Sequence, residues 1–159
     1  MTLTLADLTA RTGRDVLSHL EKEMTIPVVD ALQAQGDLLV IPIARLTLGA
    51  PDAIWSDVVA IAPGAHWREV PGSGIDVLRA AAGGNPHTLV ADPGTCRWTT
   101  GVRDPRGLAL GALSTTAVAY LIHPEHGGSG IAPGTYVIRR QRESSGTAPR
   151  GRAVHFIAD

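Results

Sequence analysis

The sequence predicts a mainly β protein, a single antiparallel β-barrel or sandwich preceded by a short helical segment. Three observations carry that expectation. From Gly36 onward, short runs rich in Val, Ile, Leu and Thr are divided by Gly, Pro, Asn and Asp every eight to twelve residues or so, the spacing of strands and turns. The 18 glycines and 11 prolines supply those turns. No strand-helix alternation follows, which disfavours a parallel nucleotide-binding sheet. With 159 residues, 44% hydrophobic and 18% charged, the chain has the balance of one globular domain.

The first segment, 1–35, reads as the helical extension. In "TLADLTARTGRDVLSHLEKEMTIPVVDALQAQ", Val16, Leu20 and Met24 recur four apart, one face of a helix. Thr4 and Asp7 form an acidic version of the capping box. Pro27 suits the first turn of a last helix ending before Gly36, so two or three short helices are expected. His19, among Ser18, Glu21 and Lys22, reads as a solvated helix-face residue.

The second segment, 36–159, reads as the β domain. Strands are expected within 37–43, 58–61, 66–70, 75–79, 88–91, 97–102, 108–113, 117–122, 136–142 and 153–157. In "YLIHPEHGGSGIAPGTYVIRRQRE" (120–143), the first strand ends at Pro124, which cannot donate to a ladder. Residues 127–134 read as the connection to a second strand, with Pro133-Gly134 suiting a type II turn. Tyr136, Ile138, Arg140 and Arg142 then face one side and Val137, Arg139 and Gln141 the other, a strand leaving the core for solvent at its charged end, and that charge reads as an edge that resists association. "GSG" and "GGSG" open no helical pattern, so neither is read as a phosphate cradle.

The candidate chemistry is a histidine constellation. His123 and His126 stand at a strand end and in the turn after it, and His87 starts a strand after a glycine-proline loop. If the two hairpins are neighbours, His87, His123 and His126 converge as ligands of a divalent metal, zinc or iron. Glu125 or Asp92 would then be a carboxylate partner, and Glu125 a general base on metal-bound water. The plainer alternative is turn histidines making ordinary hydrogen bonds, with no cofactor. Cys96, the single cysteine, excludes an internal disulfide and reads as a small core residue, since no hydrolase signature surrounds it. The three tryptophans read as core anchors before pocket linings.

A second constellation is basic. Arg139, Arg140, Arg142, Arg150 and Arg152 share a short stretch with one acid, Glu143, a patch for an acidic protein face or a phosphate backbone. Few aromatics stand near it, so base stacking is poorly served. The net charge of -1 offers no global attraction to nucleic acid or membrane. The N-terminus has acids where a signal peptide needs a basic region, and no run approaches a membrane span. A cytoplasmic protein is expected.

The segments "QGDLLVIPI", "HTLVADPG", "YLIHPEHGGSGIAPGTYVIRRQRE" and the closing "AD" together resemble an uncharacterised family of small β-rich proteins of actinobacteria and their phages. The resemblance covers roughly residues 35–159 and implies the β fold and, if phage-encoded, a virion-associated location, but no activity. This chain departs from the pattern at Asn85 and His87, where the family pattern has two histidines, which implies one lost ligand if those histidines bind metal. Taken together, the sequence favours a non-enzymatic binding or assembly module. Its helical extension and Arg-rich edge would contact protein, self or heterologous. A His-ligated metalloenzyme and a nucleic-acid-binding module are the alternatives.

Overall fold

The computed structural model describes residues 3–13, 25–46, 59–78, 85–144 and 154–156. In chain order these form helix α1 (Leu5–Thr12) and strands β1 (Val28–Val29), β2 (Gln33–Gln35) and β3 (Leu38–Pro42), then a single 3-10 turn, Ile43–Leu46. Strands β4 (Ala60–Ile61), β5 (Arg68–Glu69), β6 (Ile75–Leu78), β7 (His87–Val90), β8 (Cys96–Thr99) and β9 (Val102–Arg103) follow. The remainder are β10 (Ala109–Thr115), β11 (Ala119–His123), β12 (Gly127–Ile131), β13 (Gly134–Arg140), β14 (Arg142–Ser144) and β15 (Val154–Phe156). Every expected run after Gly36 overlaps one of these strands.

Two sheets form a sandwich. The first has the order β1-β12-β11-β7-β6, and the second β2-β3-β13-β10-β8-β5. Leu89, Leu121 and Ile131 of the first sheet pack against Leu38, Val40, Trp98, Leu113, Tyr136 and Ile138 of the second. Each sheet is also covered on its far side. Leu5 and Leu8 of α1, with Ile26, lie on Val90, Tyr120 and Ile122. Beyond the second sheet, Ile41, Ala112 and Val137 meet Leu46 and Val59, with Ile61 and Val102 of the β4-β9 ribbon against them. This layering explains why β7 and β11 are buried at every residue. Strands covered on both faces read as continuous apolar runs without polar alternation.

The amino-terminal segment differs from expectation beyond its first helix. Thr4 caps α1 with the full capping box: its hydroxyl accepts from the Asp7 amide, and Asp7 accepts from the Thr4 amide. Gly13 ends the helix in the left-handed region at φ 67°. After Pro27, however, the chain is extended. Val28 and Val29 run parallel to Gly130 and Ile131 of β12, and β2 turns through Gly36, at φ 57°, into β3. The β-branched pair favours the pleated conformation, and tertiary pairing overrides the proline signal for a helix. The expected 35/36 boundary falls at the turn of this hairpin. Val16, His19, Leu20 and Met24 lie outside the described residues.

The stretch 120–143 also folds differently. Its glycine run is strand β12, paired antiparallel with β11 from Ala119↔Ile131 to His123↔Gly127. A Cβ at Gly130 would lie 2.6 Å from the Pro27 carbonyl oxygen, and one at Gly128 would lie 2.8 Å from Ile26. The glycines are therefore what lets β1 approach β12. Gly134 has φ 152°, far from the roughly 80° of a type II turn, and it opens β13 in the other sheet. There β13 is an interior strand between β3 and β10, so the expected charged edge is a central strand with both faces covered.

Candidate functional site at one end of the sandwich

Antiparallel register builds the site. Tyr120 lies opposite Val90 and Ile122 opposite Thr88, which brings His123, the last residue of β11, beside His87, the first of β7. The turn through Pro124 and Glu125 then folds His126 back over them. The His87 and His123 ring centroids are 4.3 Å apart, those of His123 and His126 4.5 Å, and those of His87 and His126 6.1 Å. His87 and His123 are buried and His126 is exposed, so the cluster runs from the core to solvent.

The hydrogen bonds assign the protons. The Gln35 side-chain amide donates to the carbonyl of Leu121 at 2.8 Å and to the Ser129 hydroxyl at 3.0 Å. This fixes its Oε1 toward His87 Nδ1 at 3.1 Å, and Nδ1 is the donor there. His87 Nε2 lies 3.0 Å from Asp37 Oδ1. A bond at that distance needs a proton between the two atoms, either on a charged imidazole or on a neutral carboxyl. His123 Nδ1 accepts from the Glu125 amide at 3.1 Å, which leaves Nε2 to donate to the Asn85 carbonyl at 3.2 Å. Gln35 and Asp37 come from the β2-β3 turn, so this cluster ties the two sheets together at their end.

One ligand atom each from His123, Glu125 and His126 lies within 4.8 Å of the others. The structure thus brings the three expected histidines together, but Glu125, not His87, completes that group of ligand atoms. Asp92 stands elsewhere, joined to Arg11 by an ion pair. Gln35 and Asp37 were missed in the sequence because their partner, His87, is about fifty residues away and no local pattern links them.

The expected basic patch is divided. Arg139 is 1% exposed and forms two hydrogen bonds of 3.1 Å, through Nε and Nη2, with Asp104. Arg140 is half-buried and stands opposite Leu38. The Arg142 side chain, Arg150 and Arg152 lie outside the described residues. Cys96 is buried in the inter-sheet core, and burial pushes its thiol up to about 11 despite an opposing Thr115 hydrogen bond. It packs as a core residue, and a raised thiol holds little of the thiolate that a nucleophile needs. Trp98 is a core anchor, whereas Trp67 is half-buried beneath the Arg97 guanidinium at 5.6 Å.

Among the described residues no helix is long and apolar enough to cross a membrane. No curated protein and no solved structure matches the chain. The DUF8820 family, described as a domain of unknown function, matches residues 34–141, a range that holds Gln35, Asp37, His87, His123, Glu125 and His126. That range is more than half of the chain, and the protein belongs to the DUF8820 family.

Proposed function

We propose that this protein is a divalent-metal-binding β-sandwich in which His123, Glu125 and His126 are the ligands. The observation that carries the reading is the approach of their three ligand atoms to within 4.8 Å at a solvent-facing turn. Two imidazoles and a carboxylate suit Zn²⁺ or Fe²⁺ and leave coordination positions for water. The Asn85 carbonyl receiving His123 Nε2–H is the kind of outer partner that orients a metal-binding imidazole, and it makes Nδ1 the ligand atom.

Binding asks for a small movement. Metal–nitrogen bonds of about 2.0–2.1 Å in a tetrahedron set ligand atoms about 3.3 Å apart. Glu125 and His126 are exposed and can close that gap, the metal replacing the Glu125 amide at His123 Nδ1. His87, held by Gln35 and Asp37, buttresses His123 from behind. A bound metal would supply an acidified water at the turn, the starting point of hydrolytic chemistry.

The assembly reading is less well supported. Helix α1 buries Leu5 and Leu8 against its own sheet, and Arg139 is engaged with Asp104, so two of the features that suggested protein or nucleic-acid contact serve the fold. The phage association implied by the sequence resemblance would bear on such a module and not on the histidines.

Elemental mass spectrometry of untagged protein, with His126→Ala and Glu125→Gln beside it, tests the metal reading. Near-stoichiometric zinc or iron, lost in both variants while their melting curves stay folded, is expected. A metal-free protein that also fails to take up added Zn²⁺ would refute it.

A further inference from the structure

Strand β12 supports its side of the histidine turn with almost no side chains. Its sequence, Gly127–Ile131, offers one polar side chain, Ser129, and glycine loses more freedom on ordering than any other residue. His123 and Gly127 are the last pair of the β11-β12 ladder, and Leu121 and Ser129 stand two residues behind them. One side chain from the other sheet holds both legs of this hairpin. Gln35 of β2 is 4% exposed. Its amide donates to the Leu121 carbonyl at 2.8 Å and the Ser129 hydroxyl at 3.0 Å, with the Gly127 carbonyl at 3.4 Å. Its oxygen accepts from His87 Nδ1 at 3.1 Å, and the His87 ring lies against His123. Gln33, two residues earlier and so on the same face of β2, donates to the Gly130 carbonyl at 3.0 Å. Strand β2 therefore reaches across the end of the sandwich and fastens β12 where its own side chains cannot.

We propose that Gln35 is a positioning residue of the metal site: it fixes the separation of the two strands that flank His123, Glu125 and His126, and through it the spacing of the three ligands. The inference rests on the metal reading of those residues. A primary amide suits this place, because one flat group donates two protons and accepts through its oxygen. A carboxylate could not serve the Leu121 carbonyl, and an apolar chain could serve neither strand. Spacing is what a metal responds to. The ligand atoms lie within 4.8 Å of one another and must close to about 3.3 Å. That movement of the exposed tip is productive only while its legs are held, since a site about 1 Å too loose loses its function.

The test is Co²⁺ titration of the full chain, followed by ligand-field absorption, in wild type, Gln35→Met, Ser129→Ala and Leu113→Ala. Leu113 controls for stability alone. It is fully buried between the sheets and stands opposite Tyr136, which lies opposite Pro42 at the far end of β3 from Asp37. Gln35→Met should weaken Co²⁺ binding by about ten- to a hundredfold, the usual effect of losing an outer partner of the ligands, and should change the absorption bands. Ser129→Ala should weaken it by about three- to tenfold, the worth of one hydrogen bond. Leu113→Ala should lower the melting temperature yet keep wild-type affinity and bands. Wild-type affinity in Gln35→Met, or in Ser129→Ala where Gln35→Met does not fold, would overturn the role of Gln35 and leave the metal reading standing. Equal weakening in Leu113→Ala would also overturn it, because the loss would then follow stability. No saturable Co²⁺ uptake by wild type would overturn the metal reading itself, and this inference with it.

Discussion

Arg139 and Asp104 show how a charge that looks like surface becomes structure. Their side chains are 2% and 3% exposed, and the carboxylate also accepts from the amides of Arg106, Leu108 and Ala109. It thereby holds the loop between β9 and β10 onto β13. Burial acts to raise the Asp104 carboxyl, but the Arg106 amide, the Arg139 charge and the other two amides outweigh it and hold the carboxyl below its ordinary value. A depressed folded value gives stability that is present above the unfolded value of about 3.9 and lost as pH falls through the lower folded one. Asp104→Ala strands a buried guanidinium and should cost about 3–5 kcal/mol in urea melts at neutral pH. The deficit should be smaller in strongly acid solution, because wild type also loses the carboxylate as pH falls through its lowered folded value. An equal deficit at both pH values would show that the charge is not what stabilises. Arg139 could not be placed inside from its neighbours alone, because a lone buried arginine requires a carboxylate that here comes from thirty-five residues away.

At the scale of elements, the informative residues are the glycines of β12. A run of glycines carries no strand preference; pairing with β11 along all five residues makes it a strand, and the close approach of the 27–29 segment, where the Gly130 amide donates to the Pro27 carbonyl at 3.0 Å, explains why its residues are glycines. Gly130→Ala should cost about 1–3 kcal/mol by overpacking. It should also speed hydrogen exchange at Gly130 and Ala132, whose amides donate to β1 and its lead-in, without touching β13. Gly72→Ala is the control. Its Cβ would meet only Pro93 at 3.5 Å or beyond, so a near-neutral effect is expected. Equal destabilisation by both would show that flexibility, not close approach, is what the glycines supply.

The whole molecule is a sandwich covered on its two outer faces, and part of that cover comes from outside the matched family range. That range begins at Ala34 within β2, so α1 and β1, which lie on and beside the first sheet, are contributed by the segment before it. Leu8, fully buried between α1 and the outer face of β11, is the anchor of this layer. Leu8→Ala should lower stability by about 2–5 kcal/mol. It should also leave metal content unchanged, because the histidine turn lies at the opposite end of β11 from this layer. Loss of metal in this variant would mean that the two ends are not independent.

The sequence by itself determined the β class, the position of every strand foreseen after Gly36, the capped first helix and the gathering of histidines in two turns. These are local quantities: turn chemistry, β-branched runs and caps act within a few residues and survive in any tertiary setting. Only the tertiary structure decided that β12 is a strand, that β13 leaves β11 for the other sheet, and that Pro27 leads into extended chain. It also decided that Asp37 and Gln35 hold His87 while Glu125 joins His123 and His126. Periodicity reports which face of a strand is apolar but not which strand it will meet, and each of these outcomes depends on a partner brought in by the packing of one sheet on another.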